Sequence, residues 1–125
     1  MKMEPVISGY NTSIAAYGDR SFTIAGEKRA GSILLMPESV ASWPVERMDD
    51  LTVESLETIV EHAADIELLI VGTGHHPALL PTKVRNHFRQ RGIAIEAMAT
   101  GPACRTYNVL LAEHRLVAAA LIAVD

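Results

Sequence analysis

The stretch I-E-L-L-I-V-G-T-G, residues 66–74, decides the fold of this chain. Five of its first six residues are apolar, and the run ends at two glycines that flank a threonine. A short apolar run bounded by turn residues is typical of a strand buried on both faces, and such strands occur in parallel sheets covered by helices. The stretch therefore predicts the middle of an α/β domain.

A helix is predicted on each side of this strand. Thr52 has the residue type and position of an N-cap, and the amphipathic pattern that follows it continues to about Ala64. After the glycines, a second helix is predicted over Thr82–Arg91, with Gly92 as its C-terminal stop. The strand would thus lie between two helices that cover the sheet.

The same alternation continues to the C-terminus. A strand is predicted over Ile93–Met98, Thr100 is the expected N-cap of a third helix over Ala103–Glu113, and the apolar run Leu116–Val124 is expected to form a central strand. Alternating strands and helices favour a parallel or mixed sheet with right-handed crossovers.

The N-terminal third of the sequence predicts strands joined by turns. Ile14–Tyr17 and the segment around Phe22 have the pattern of a hairpin, and Ile33–Met36 is expected to be a further buried strand. Glu38–Asp50 shows no clear period, so we predict a loop there with Trp43 as one aromatic anchor, either in the core or covering it.

The bulk composition favours one globular domain over residues 1–125. Nearly half of the residues (49%) are apolar and 21% are charged, which is ordinary for a chain that buries its own core. A net charge of -4 argues against a nucleic-acid partner. Cys104 is the only cysteine, which excludes an intrachain disulfide and favours a reducing compartment, the cytoplasm.

No membrane insertion is predicted. The N-terminal sequence M-K-M-E-P-V-I-S-G-Y lacks the apolar core of a signal peptide. The longest apolar run, Leu116–Val124, is about half of the ~20 residues that a membrane-spanning helix needs.

The glycine pair resembles a dinucleotide-binding turn only in part. Gly72-Thr73-Gly74 follows a strand, and Glu96 lies about twenty residues further on, as in a Rossmann motif. Pro77 stands where the third glycine would be, so no helix can begin directly after the turn and no cofactor is predicted.

The start of the third helix is the better candidate for a ligand site. A helix start attracts anions, and Thr100 and Arg105 can add a hydroxyl and a positive charge there. Because loops at the carboxyl ends of parallel strands converge, a pocket shared with residues 72–74 is predicted, with simple helix capping as the alternative. The candidate ligand-binding residues are Gly72, Thr73, Gly74, Thr100, Cys104, Arg105, Tyr107 and Asn108.

Other chemistry-bearing residues give weaker signals. Cys104 could be activated beside Arg105, but a buried core position is favoured because no base can be assigned to it. His75-His76 fits no known metal-ligand spacing, so no metal site is predicted. Arginines and a lysine make the second helix basic, which the helix dipole suffices to explain. We predict no catalytic residues.

Three longer motifs resemble a known family. They are D-I-E-L-L-I-V-G-T-G at 65–74, A-C-R-T-Y-N-V-L at 103–110 and R-L-V-A-A-A-L-I-A at 115–123, with G-S-I-L-L-M-P at 31–37 in addition. They resemble a family of small α/β proteins whose bacterial and archaeal members mostly lack an assigned activity. The mitochondrial branch of this family contains assembly factor 3 of respiratory complex I, the NADH:ubiquinone oxidoreductase.

The resemblance implies a three-layer α/β fold around a mixed, largely parallel central sheet, with the N-terminal hairpin region beside it. One departure is visible, because the family often has Glu-Gly-Arg at the end of the third helix and this chain has Glu113-His114-Arg115. Losing that glycine puts a left-handed helix stop in doubt.

Two functional hypotheses follow. The first is a non-enzymatic interaction or assembly protein whose partner is a protein such as a respiratory-complex subunit, with a homodimer left open. The second is a small-molecule or anion-binding domain, with or without an enzymatic activity, that uses the loop after residues 66–71 and the helix start at Thr100–Arg105.

Overall fold

A computed structural model describes residues 2–6 and 11–125 of the protein. Residues 1 and 7–10, which belong to the N-terminal stretch considered above for a signal peptide, lie outside the described residues. The described strands are, in chain order, β1 (Glu4–Pro5), β2 (Ile14–Gly18), β3 (Ser21–Ile24), β4 (Glu27–Ala30), β5 (Ile33–Met36), β6 (Ser39–Ser42), β7 (Leu68–Gly72), β8 (Ala94–Met98) and β9 (Val117–Leu121). The α-helices are α1 (Glu57–Val60), α2 (Thr82–Arg89) and α3 (Thr100–Ala112), and short 3-10 turns occupy Met48–Asp50, Glu54–Leu56 and Ala63–Asp65.

These strands form two sheets. The larger sheet has the order β1-β6-β5-β9-β7-β8, and the smaller antiparallel sheet is β2-β3-β4. β7 is parallel to both β8 and β9, whereas the pairings on the β5 side are antiparallel. The predicted mixed sheet, the N-terminal hairpin and the central position of the C-terminal strand are confirmed, and the parallel part of the sheet comprises three of its six strands.

The two faces of the larger sheet bury different sets of side chains, as alternation along a strand requires. In β9, Ala118 and Ala120 face one apolar cluster, which also contains Val84 and Phe88 of α2. The intervening residue Ala119 faces the other cluster, which contains residues of α3 and of the smaller sheet. The larger sheet is therefore the middle layer of three.

The predicted loop over Glu38–Asp50 is wrong in its first part. Ser39–Ser42 forms β6, which pairs with β5 along its whole length. The segment has only two buried side chains, Val40 and Ala41, so its hydrophobic pattern is weak and backbone pairing with β5 decides its conformation. Trp43 lies in the core as predicted, and its Nε1 donates to the carbonyl of Ser55 at 2.7 Å.

The predicted helix over residues 52–64 is not one continuous helix. The α-helical part, α1, has four residues and lies between 3-10 turns. Thr52 is not the N-cap of a helix, since Val53 precedes the first 3-10 turn and Leu56 precedes α1, but it makes the hydrogen bonds of a cap. Its Oγ1 accepts from the amide of Ser55 at 3.1 Å, and the Ser55 hydroxyl oxygen accepts from the Thr52 amide at 3.0 Å.

Helices α2 and α3 begin and end close to the predicted positions, with one correction. α3 begins at Thr100 instead of Ala103, and its N-cap is Ala99 without a side-chain cap. Its end keeps a left-handed stop without glycine, because His114 has a φ of 60° and the Arg115 amide donates to the Leu110 carbonyl at 3.0 Å.

Candidate functional site

The two glycine-bearing connections meet at the carboxyl ends of the parallel strands. The amide of Thr73 donates to the carbonyl of Met98 at the end of β8, at 2.8 Å, and the amide of Ile122 after β9 donates to the carbonyl of Gly72 at 3.0 Å. The amide of Thr100 donates to the carbonyl of Gly74 at 2.9 Å. The structure therefore brings residues 72–74 and the start of α3 into direct contact.

Thr100 joins three segments at this point. Its side chain is fully buried, its Oγ1 accepts from the Gly74 amide at 3.0 Å, and its hydroxyl donates to the Ile122 carbonyl at 2.8 Å. The predicted N-cap role is wrong, because Thr100 is the first residue of α3 and Ala99 is the N-cap, and the Thr100 hydroxyl bonds to two other segments.

Thr73 fixes the loop that follows β7. Its hydroxyl donates to the carbonyl of His76 at 2.6 Å, and the residue is 7% exposed. Gly74 has a φ of 103°, a left-handed conformation that side chains rarely adopt. The Thr73 hydroxyl therefore fixes the turn, and Gly74 allows the backbone to adopt the left-handed conformation that the turn needs.

Gly72 allows α3 to approach the end of β7. A Cβ at this position would lie 2.9 Å from Cδ2 of Leu121 and 3.2 Å from the Thr100 backbone Cα. Backbone cannot move aside as a flexible side chain can, so this contact explains why a glycine stands here.

The start of α3 is partly covered. Its first amide, that of Thr100, already donates to Gly74, and Pro102 has no amide hydrogen to offer. Tyr17 lies over Gly101, since a Cβ on Gly101 would be 2.7 Å from the Tyr17 hydroxyl. The amide groups that would attract an anion are thus fewer than the sequence suggested.

Cys104 is buried, as the sequence favoured, and is only 3% exposed. Burial raises the pKa of its thiol to about 12, and the positive charge of Arg105 opposes that shift without cancelling it. The thiol is therefore protonated at neutral pH and is not activated for nucleophilic attack. Arg105 itself is exposed on the outer face of α3.

Tyr107 and Asn108 connect α3 to the N-terminal part of the chain. The Tyr107 hydroxyl lies 2.6 Å from Oγ1 of Thr12, and burial raises the pKa of Tyr107 although this hydrogen bond opposes it. Asn108 accepts from the Ile14 amide at 2.7 Å and donates to the Ile14 carbonyl at 2.9 Å. The Asn108 side chain thus bonds to both backbone groups of Ile14, as a neighbouring strand would.

The loop of residues 73–78 lines an open cavity of about 390 Å³. Thr73 and Gly74 are the two predicted site residues that line it. Sequence reasoning missed the distant side chains that complete its wall, among them Arg20, Arg47 and Asp125. Nothing local in the sequence marks these residues, because only the tertiary fold brings the turn after β2 to this rim.

Asp125 lies near two basic side chains at this cavity. Arg20 Nη1 lies 3.9 Å from Asp125 Oδ1, and His75 Nε2 lies 3.9 Å from Asp125 Oδ2. In residues 2–6 and 11–125, no three His, Cys, Asp or Glu side chains cluster in a way that could hold a metal ion. Nor does that part of the chain contain a helix whose length and apolarity would let it cross a membrane.

Comparisons with known proteins extend over most of the chain. A family model described as protein of unknown function (DUF498/DUF598) matches residues 14–122. A Xenopus tropicalis protein named NADH dehydrogenase [ubiquinone] 1 alpha subcomplex assembly factor 3 is 37% identical over 109 residues, which are 87% of this chain. The chain spans 60% of that relative's length.

Solved bacterial structures share the fold. A Bartonella henselae protein described as an outer membrane protein has a TM-score of 0.88 and 36% identity, covering 93% of this chain and 98% of that one. A Bordetella pertussis protein described as a Mth938-like domain has a TM-score of 0.81 and 31% identity, covering 98% and 91%. With the family model matched from β2 to the end of β9, the chain belongs to the DUF498/DUF598 family of proteins of unknown function.

Proposed function

We propose that the chain is a non-enzymatic assembly factor that binds subunits or assembly intermediates of respiratory complex I. The observation that carries this proposal is the 37% identity, over 87% of the chain, to a relative that is named as a complex I assembly factor. Internal hydrogen bonds add support, because Thr100 and Asn108 hold separate segments of the chain together and Thr73 holds its own loop. We place the protein in the cytoplasm, where its free thiol would stay reduced.

A deletion and rescue experiment tests this proposal. Cells that lack the gene should contain less assembled complex I, measured on native gels and as NADH:ubiquinone oxidoreductase activity, and the wild-type chain should restore both. A tagged chain crosslinked mildly in the same cells should recover complex I subunits. Normal complex I in the deletion strain, together with no recovered subunit, would refute an assembly role.

We propose anion binding as a second candidate function, located in the cavity beside the residue 73–78 loop. It is favoured by the position of that cavity at the carboxyl ends of β7 and β9, where α/β proteins usually bind ligands. Arg20 and Arg47 would supply charge, and Thr73 and Gly74 would contact the anion. Of the remaining predicted site residues, Gly72 lies in β7 and the others lie on α3, and they would contribute only if the helix start opened.

Thermal shift measurements with phosphate, citrate and nucleotides test this second candidate. If the cavity binds the anion, a rise in melting temperature should be lost in Arg47→Ala and kept in Arg105→Ala. Loss in Arg105→Ala alone would favour the helix start instead. Unchanged melting temperatures with all ligands would remove anion binding altogether.

A further inference from the structure

The outer edge of β8 (Ala94–Met98) has no neighbouring strand among the described residues. The Ala94 amide donates toward β7, to the Glu67 carbonyl at 3.0 Å, and the Met98 carbonyl accepts from Thr73 at 2.8 Å. Backbone groups of successive residues in a strand point to opposite sides. The N–H and C=O groups of the alternate residues, Ile95 and Ala97, therefore point away from the sheet.

This edge lacks most of the features that protect sheet edges from pairing. Proline, bulges and very short strands are common protections, and the opposite edge strand, β1, has two residues, one of them Pro5. β8 has five residues, contains no proline and pairs with β7 without a register shift. Its one charge, Glu96, projects to the face opposite Ile95 because side chains alternate along the strand.

A cleft of about 250 Å³ runs beside this edge, lined by Arg85 and Arg89 of α2 and by residues 93–95. Neither arginine takes part in any of the ion pairs formed between described residues. No Asp or Glu occurs between Glu67 and Glu96 in the sequence, whereas four of the chain's eleven Lys and Arg residues do. The edge is thus bordered by unneutralised positive charge in a protein of net charge -4.

The spacing of these charges suits an extended chain. Arg85 and Arg89 are one helical turn apart, about 6 Å along the helix axis. Side chains on one face of a strand repeat every two residues, about 6.8 Å. Two carboxylates separated by one residue in an added strand would therefore each face one arginine.

We propose that β8 and α2 form a docking surface for an extended acidic segment of a partner protein, which adds as a strand to the outer edge of β8. The segment would bond to the backbone of Ile95 and Ala97 and place alternate carboxylates against Arg85 and Arg89. This inference rests on the proposed function as a protein-binding assembly factor, and it names the surface and the chemistry of the partner.

The probe for this surface is the peptide Ac-TVEVEVT-NH2, titrated into the isotopically labelled full chain and followed by NMR. Binding should slow hydrogen exchange of the Ile95 and Ala97 amides at least tenfold, a change that simple charge attraction would not produce. The double variant R85E/R89E should bind this peptide at least tenfold more weakly and should prefer the peptide Ac-TVKVKVT-NH2. The matched control K83E/R91E carries the same change of charge outside the cleft and should keep most of the affinity.

A second variant tests the backbone contribution. Ala97→Pro removes an amide that points outward and leaves the bonds between β8 and β7 in place. It should therefore lower the affinity for the peptide without unfolding the chain. Absence of binding to the wild type, or binding that leaves the Ile95 and Ala97 amides unprotected, would overturn the proposal. Protection that rises with protein concentration without peptide would assign the edge to a second copy of the chain and would also overturn it.

The peptide experiment and the cellular experiment test the docking surface and the proposed function separately. Peptide binding without any effect of the deletion on complex I would contradict the proposed function and support the docking surface. Recovery of complex I subunits by R85E/R89E as efficiently as by the wild type would support the assembly role and overturn the docking surface.

Discussion

At the scale of single residues, neutral polar side chains hold this molecule's connections in place. Thr12, Thr100 and Asn108 each bond to a backbone group of another segment, and Thr73 bonds to the backbone of its own loop. A buried backbone group that loses such a partner costs about 1–3 kcal/mol. These residues therefore explain the geometry at the ends of the strands better than ion pairs do, since the ion pairs are exposed at the surface.

The thiol of Cys104 should make the protein sensitive to alkaline pH. Its pKa in the folded state, about 12, is above the ordinary value of 9.0. Between these values the unfolded chain releases a proton that the folded chain keeps, so the free energy of unfolding falls as pH rises. Denaturant unfolding from about pH 8 to pH 11 should show a steeper fall for the wild type than for Cys104→Ala. Equal slopes would contradict the burial of this thiol.

Replacing His114 by glycine should stabilise the end of α3. His114 has a φ of 60°, and a residue with a Cβ pays about 1 kcal/mol in this conformation. His114→Gly should raise the free energy of unfolding by up to about 1 kcal/mol. The adjacent variant Glu113→Gly is the matched control, because Glu113 has a φ of -88° and should only lose stability. If both variants lowered stability equally, the left-handed stop would be refuted.

At the scale of elements, α3 is the structural link between the two sheets. It packs against β7 and β9 of the larger sheet and against β2 of the smaller one. Tyr107 and Asn108, which the sequence suggested as ligand contacts, hold Thr12 and Ile14. Ligand binding by these two residues stays a prediction, and their position explains how the N-terminal strands are attached.

Truncating Asn108 should loosen β2 specifically. Asn108→Ala leaves the Ile14 amide and carbonyl without their side-chain partner and should cost about 2 kcal/mol of stability. Hydrogen exchange at Ile14 should accelerate more than exchange in β9. Val109→Ala is the matched control, since Val109 is 57% exposed and its truncation should change stability little. Unchanged exchange at Ile14 would show that Asn108 does not hold the strand.

At the scale of the whole molecule, both faces of the larger sheet are buried, and no strand among the described residues covers the edge at β8. β9 is central and lies between β5 and β7, and all five of its residues are buried. The β8 edge, bordered by a basic helix, is the proposed docking surface, where backbone groups would bond to a partner. The strand that lies deepest in the core, β9, is thus different from the strand that forms the proposed docking surface, β8.

Native-state hydrogen exchange should show this separation directly. Amides of Ala118–Ala120 should exchange only through global unfolding, because they lie between paired strands. Amides of β4, whose residues are mostly exposed, should exchange through local opening at a lower free energy. Equal exchange free energies in β9 and β4 would contradict this order of stability.

The sequence by itself determined the layered α/β class, the buried strands, the ends of α2 and the burial of Cys104. These features follow from local apolar periodicity, from capping residues and from glycine at turns, all of which are written along the chain. It could not give β6 or the broken α1, because their conformation depends on pairing with β5 and on packing against the sheet. Only the tertiary structure decided the roles of Thr100 and Asn108 and the cation-bordered edge of β8, because hydrogen-bond partners 22 and 94 residues away in sequence leave no local pattern.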